Sequence, residues 1–298
     1  MHRAWIMAAA FALALAPPAL AQPIPSAVIT DPAPDAAHPP HQEQALVPSA
    51  GLGMNALFML AGGVGPHPTM ILFHGFPGNE QNLDLAQAVR RAGWNVLTLH
   101  YRGSWGSPGV FTLQHVIEDA KAAEAFVENP ANAAKYGVDR RRIVLAGHSM
   151  GGFAAASAAR DNPALAGVIL IDAWNVGSDA TDFARLNGKA RAVAAAQAFD
   201  DLGNSLAGTS PKAVADEIVA HGKDWNVLGW APRLTARPML VIGAEKSGGK
   251  ENHAIAQAVA KAGGKVTDIT LPTDHPFSDH RIALAGLVVT WLDGLSKP

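Results

Sequence analysis

The chain has 298 residues, 49% of them hydrophobic, a formal net charge of −2 and no cysteine. That length and apolar content suffice for one large α/β domain, or two small ones, with a substantial core. The near-neutral charge gives no electrostatic reason to expect nucleic acid as a partner, and the absence of cysteine excludes disulfides, thiol nucleophiles and thiolate metal sites.

Residues 1–21 have the parts of a secretory signal peptide: a short basic start at Met1-His2-Arg3, an apolar run from Ala4 to Leu15, a Pro17-Pro18 break, and the small-x-small site Ala19-Leu20-Ala21 before Gln22. The apolar run is too short and wrongly flanked for a membrane span, so no stable membrane anchor is expected after cleavage. The expected location is the periplasm or the exterior of a bacterial cell. Removing the segment takes away Arg3 and no acidic residue, leaving −3. Residues 22–49, rich in Pro, Ala and His, read as a poorly ordered lead-in, with the folded domain spanning 50–298.

From residue 55 onward, short apolar runs alternate with helical patterns. Strands are expected at 55–60, 69–73, 95–100, 143–146, 166–171, 238–242 and 266–271. Helices are expected at 80–91, 113–128, 153–160, 252–262 and 281–295. The second strand, Thr69-Met70-Ile71-Leu72-Phe73, is apolar at successive positions, as in strands covered on both faces. The alternation predicts an α/β fold with a doubly wound, mostly parallel sheet and right-handed crossovers. Residues 176–237 differ. They are Ala-rich, without strands, with helical pieces near 179–186, 188–201 and 211–220. The polar and glycine-rich clusters at 74–78, 101–109, 147–151, 172–175, 243–251 and 272–280 all follow strand ends, where open parallel sheets bind their ligands.

One cluster carries a specific chemistry. Gly147-His148-Ser149-Met150-Gly151 stands between an apolar strand and a helix, the G-x-S-x-G spacing of a nucleophile elbow. A serine at such a turn needs strained backbone and small neighbours two residues away on each side. The helix that follows supplies free N–H groups to a developing oxyanion. Ser149 needs a base, because its hydroxyl is un-ionised at neutral pH, and the base needs an orienting acid. His275, between the last strand and the last helix, is the candidate base, preferred over His280 at the start of that helix. The acid is open between Glu245, after the strand 238–242, and Asp172, after the strand 166–171, with Glu251 third. The oxyanion donors are expected to be the backbone N–H groups of Met150 and Phe76; Pro77 has none to offer. His74 is expected to buttress the Phe76 loop, and with Trp105 and Trp174 it is a candidate for the pocket wall. No metal or cofactor is expected. The histidines form no H-E-x-x-H pair, Gly62-Gly63-x-Gly65 is not followed by a helix, and Gly147–Gly152 lacks a P-loop Lys-Ser/Thr pair.

Taken in order, HGFPGNEQNLDLA, HYRGSWGSPG, GHSMGGF and TDHPFSDHRIAL resemble the bacterial α/β-hydrolase superfamily near its esterase-like and prolyl-oligopeptidase-like branches. The resemblance covers about residues 50–298. It implies an α/β-hydrolase fold with an eight-stranded type of sheet, a Ser-acid-His triad, cofactor-free hydrolysis, and a helical cap inserted after the sixth strand, which residues 176–237 match. The departure is Lys246, which stands where the family usually has the acid. The expected function is an exported serine hydrolase cleaving a small-molecule carboxylic ester, or a thioester or amide, through an acyl-enzyme. The alternatives are an acyltransferase or a non-catalytic binding protein with a degenerate triad.

Overall fold

The computed structural model of the chain describes residues 23–203 and 205–295. The expected signal peptide lies outside the described residues. In chain order the elements are α1 (Ser26–Ile29), β1 (His41–Ser49), β2 (Leu52–Leu60), β3 (His67–Phe73), α2 (Leu83–Arg91), β4 (Asn95–Leu99), α3 (Leu113–Glu128), α4 (Pro130–Tyr136), β5 (Val138–His148), α5 (Met150–Ala159), β6 (Gly167–Ile171), α6 (Ala180–Ala184), α7 (Gly188–Ala198), α8 (Pro211–His221), α9 (Val227–Trp230), β7 (Met239–Ala244), α10 (Gly249–Lys261), β8 (Val266–Leu271) and α11 (Arg281–Leu295). Among the described residues the strands form one eight-stranded sheet in the order β1-β2-β4-β3-β5-β6-β7-β8. β2 is antiparallel to both of its neighbours, and from β4 through β3 to β8 every pairing is parallel. The fold is therefore the doubly wound α/β sheet that the alternation predicts, with α6 to α9 inserted between β6 and β7.

The continuous apolar runs are explained by burial on both faces. Along the central strands, Phe73, Leu145, Leu170 and Val241 point into a core shared with α3, α5 and the inserted helices. Their neighbours Leu72, Ala146, Ile171 and Ile242 point into a second core under α2 and α11. In α3 the residues Val116, Ile117, Ala120, Ala123 and Val127 are all buried, as their spacing predicts. The stripe of α11 is narrower than its apolar residues imply. Leu284, Val288 and Leu292 are buried, but Ile282, in the first turn, is exposed.

The structure corrects the reading of residues 22–49. α1 is held by Arg91, whose Nε donates to Ala27 O at 2.6 Å and whose Nη2 donates to Val28 O at 3.1 Å. β1 pairs with β2 along its whole length, from His41 opposite Leu60 to Ser49 opposite Leu52. The folded domain thus begins well before residue 50. The strand escapes a periodicity search because it is an edge. Only Val47 and Ser49 are buried, so the inward face needs little apolar character, and Pro48 is tolerated where one ladder side has no partner. Asn129-Pro130, expected only to end α3, also starts α4. The Asn129 side chain accepts from the N–H groups of Ala131 and Asn132, and Pro130 takes the first helical position.

One buried acid makes stability depend on pH. Glu124 of α3 is buried beside Glu128 and accepts a hydrogen bond from Asn162 Nδ2. Loss of water raises its carboxyl to about 7, against an ordinary 4.5. Because the folded pKa is the higher one, its contribution is fully present below pH 4.5 and is lost as the pH rises through 7. Charging this site costs on the order of 3 kcal/mol at pH 8. Glu124→Gln, which keeps the acceptor for Asn162, is expected to raise stability by about 1–3 kcal/mol at pH 8 and to leave it nearly unchanged at pH 4. Urea midpoints at the two pH values check this, and an equal shift at both would refute it.

Candidate active site

The site is built on the carboxyl ends of β3, β5, β6 and β7. Ser149 lies between β5 and α5 with φ 57° and ψ −123°, a conformation L-residues rarely adopt. Four backbone hydrogen bonds hold it there. Its N–H donates to Ile171 O at 3.0 Å, and its carbonyl accepts from Gly152 N and Trp174 N at 2.9 Å each and from Phe153 N at 3.3 Å. Strain of this kind persists only where the surroundings over-determine it.

The glycines around Ser149 are dictated by space. A Cβ on Gly147 would fall 2.0 Å from Gly151 O, and one on Gly151 would fall 2.0 Å from Phe73 O. On Gly152 it would stand 2.4 Å from the Ala173 Cβ. The first two obstacles are backbone atoms, which cannot swing aside. Gly151→Ala is therefore expected to lower both stability and turnover, the latter by at least about 100-fold because Ser149 must shift. Thermal melting and initial rates on one preparation read both effects, and a variant with native values of each would contradict the close approach.

His275 lies in the loop between β8 and α11, with its side chain 41% exposed. Its Nδ1 lies 2.6 Å from Asp172 Oδ2 and 3.2 Å from Ser247 Oγ. The backbone of this loop is fixed from below by the residue preceding Ser149. His148 Nε2–H donates to His275 O at 2.9 Å, and the two rings lie 4.5 Å apart. Burial first, and the nearby His275 second, lower His148 to about 4, so it stays neutral and keeps this role at neutral pH.

Asp172 follows β6 and is buried, with φ 40°. Its carboxylate accepts from Ala244 N at 2.9 Å and Gly248 N at 3.2 Å, in addition to His275. Burial alone would raise its pKa, but the hydrogen bonds from His275 and Ala244 outweigh it and hold the carboxyl below its ordinary value. It is therefore an anion aimed at His275 Nδ1.

The other carboxylates are not at the histidine. Glu245 is exposed, and its contact with this region is the bond from its backbone N–H to Leu271 O. Glu251 accepts from Asn175 Nδ2 at 3.2 Å, and burial raises its pKa. Lys246 is exposed and donates its backbone N–H to Thr273 O at 3.0 Å. Of these carboxylates only Asp172, one strand over after β6, is in contact with His275 among the described residues. His280 pairs with its neighbour Asp279 at 2.8 Å and does not reach the site.

The Phe76 loop lies directly over the elbow, since a Cβ on Gly75 would be 3.0 Å from the Ser149 Cβ. Met150 opens α5, so its N–H has no carbonyl one turn back, and the Phe76 N–H makes no backbone hydrogen bond among the described residues. His74 and Trp105 both bond to this loop, His74 in the buttressing place the sequence suggests and Trp105 outside the pocket wall for which it was a candidate. His74 is buried, its Nδ1–H donates to Gly75 O at 2.7 Å, and burial lowers it to about 4. Trp105 Nε1 donates to Pro77 O at 2.8 Å. Their rings crowd Gly78, where a Cβ would stand 2.4 Å from Trp105 Nε1 and 2.8 Å from His74 Cε1.

Ser149 opens onto a cavity of about 540 Å³, lined by Phe76 and Trp174 from the sheet loops and by Asp179, Phe183 and Phe199 from the inserted helices. Sequence reasoning missed the inserted-helix residues, because nothing in a helix's periodicity says which of its residues meets a distant loop. It also missed Asn252. The Asn252 side chain accepts from Ala173 N at 2.8 Å and donates to Ala173 O at 3.1 Å, locking the turn that presents Asp172.

Comparison with known proteins agrees with this architecture. The sequence model described as "Alpha/beta hydrolase family" matches residues 70–287. Among solved structures, the chain is similar to a thermostable carboxylesterase cloned from a metagenomic library, at 18% identity and a TM-score of 0.60, covering 92% of this chain and 93% of that one. It is also similar to a hyperthermophilic esterase from the archaeon Pyrobaculum calidifontis, at 20% identity and a TM-score of 0.62, covering 88% of each. A third similar structure is that of dipeptidyl peptidase 4 from Porphyromonas gingivalis, at 16% identity and a TM-score of 0.59, covering 86% of this chain and 35% of that one. At these identities the likeness is one of fold. A search of curated proteins by sequence finds no match.

Proposed function

The chain belongs to the alpha/beta hydrolase family, and from that premise we propose that it is a serine esterase acting on small carboxylic esters. The observation that carries the reading is the 2.6 Å contact between Asp172 and His275 Nδ1, on the same sheet end as the strained Ser149. An anionic Asp172 holds the proton on Nδ1, which leaves Nε2 bare to accept the Ser149 proton. Ser149 Oγ attacks the ester carbonyl, and the N–H groups of Met150 and Phe76 stabilise the oxyanion. His275 returns its proton to the departing alkoxide, leaving an acyl group on Ser149. Water, activated by the same histidine, then releases the acid. No step needs a metal or a cofactor.

The protein is further proposed to act outside the cytoplasm, on the strength of the signal-peptide pattern at residues 1–21 and the absence of cysteine. No helix among the described residues is long and apolar enough to cross a membrane.

The test is a set of p-nitrophenyl esters of increasing acyl length, combined with an organophosphonate probe and peptide mapping. Hydrolysis with stoichiometric labelling of Ser149 is expected. A protein that neither hydrolyses the esters nor reacts with the probe would overturn the reading.

A further inference from the structure

The wall of the Ser149 cavity is aromatic, and its rings form a connected set. Phe76 lies 6.4 Å from Trp174 and 5.6 Å from Phe199, and Trp174 lies 6.1 Å from Phe199, centroid to centroid. A pocket for a plain acyl chain would need nothing more, yet two carboxylates, Asp179 and Asp182, share the same wall. Asp182 is exposed at the rim and already has a cation, Arg185, at 3.3 Å. Asp179 has none. It accepts the indole N–H of Trp174 at 2.8 Å and forms no ion pair among the described residues. Glu251 is a neighbouring charge, and its neutral partner Asn175 does not compensate it. Burial first, and then nearby carboxylates, raise the pKa of both Asp179 and Glu251. The Asp179 carboxylate therefore faces an aromatic wall and has no ion-pair partner among the described residues.

The kind of cation follows from the wall. Aromatic faces attract a cation but cannot replace the hydrogen bonds that a primary ammonium makes to water. A quaternary or tertiary ammonium is weakly hydrated and gives up little on entering. We propose that this cavity selects esters that carry an alkylammonium group, seated against Trp174, Phe76 and Phe199 with Asp179 as its countercharge. The substrate class rests on the reading of Ser149 as an esterase nucleophile, whereas the cation site rests on the cavity wall alone.

Two matched esters test the proposal: a choline ester and the 3,3-dimethylbutyl ester of the same acid, in which carbon replaces the ammonium nitrogen. The choline ester is expected to have the higher kcat/KM by about tenfold or more. That ratio is expected to fall toward one in Asp179→Asn and to shrink as salt is raised. Phe199→Leu, which removes one aromatic face and no charge, is expected to reduce the ratio as well and serves if Asp179→Asn does not fold. In parallel, tetramethylammonium chloride is titrated calorimetrically into the purified protein against a sodium chloride control. Saturable binding that weakens about tenfold in Asp179→Asn is expected. A ratio near one in the unaltered protein, with no saturable binding of tetramethylammonium, overturns the proposal. If neither ester is hydrolysed and Ser149 takes no probe, but tetramethylammonium binds and Asp179→Asn weakens it, then the esterase reading has failed and the cation site stands.

Discussion

Ser149→Ala is expected to reduce ester hydrolysis by about 10⁴–10⁶-fold, to the residual rate that binding and the oxyanion donors sustain. The hydroxyl has no substitute nearby. Ser247, the other serine of the site, lies beside His275 Nδ1, on the face turned toward Asp172 and away from the elbow. The variant should fold, because the four bonds that hold residue 149 are made by its backbone. Ser149→Gly sharpens the test. It removes the same hydroxyl and also relieves the positive φ, so it should be equally inactive yet more stable than the parent by about 1 kcal/mol or more. Initial rates with a p-nitrophenyl ester and thermal melts of all three proteins read both effects. Activity in either variant within tenfold of the parent would remove Ser149 from the mechanism.

The second large effect is expected at Asp172. In Asp172→Asn the amide keeps the volume and can still accept from the Ala244 N–H, but its NH2 group would then face His275 Nδ1. Nδ1 would have to become an acceptor, which moves the proton to Nε2, where it blocks removal of the Ser149 proton. A fall in kcat of about 10³–10⁴-fold is expected, with KM changed far less. Glu245→Gln should remain within about twofold, since that side chain is exposed and away from the histidine. The comparison separates a carboxylate that works through His275 from one that merely follows a strand in the expected place. If Glu245→Gln is the damaging change and Asp172→Asn the silent one, the assignment of the acid is reversed.

How much of this was legible beforehand differs by element. The helices 113–128 and 281–295 and the strand 266–271 were readable to the residue, because their patterns and end signals agree: Thr112 caps α3, and Gly263-Gly264 precedes β8. The elbow was readable because its glycines are local requirements, imposed by atoms only a few residues away or on the adjoining strand. β1 was not, since an edge strand needs only a half-apolar face and its pattern fades into polarity. Trp105 was misplaced in the pocket because an aromatic residue after a strand end carries the same composition signal whether it lines a cavity or props a loop.

The amino-acid sequence by itself determined the alternating α/β order, the position of Ser149 at the turn between β5 and α5, and the late histidine, because each is written in spacing along one stretch of chain. Only the tertiary structure shows which carboxylate touches His275. Asp172 and Glu245 follow neighbouring strands, and because Ile171 stands opposite Ile242, Glu245 lies two positions beyond the residue opposite Asp172. Both are compatible with the chain order Ser, acid, His. What separates them is direction. Asp172 turns inward onto the N–H groups of Ala244 and Gly248 and onto His275, whereas Glu245 turns out to solvent. Spacing along the chain carries no record of which way a side chain turns at the end of a sheet, and that direction is what puts Asp172 and not Glu245 against His275.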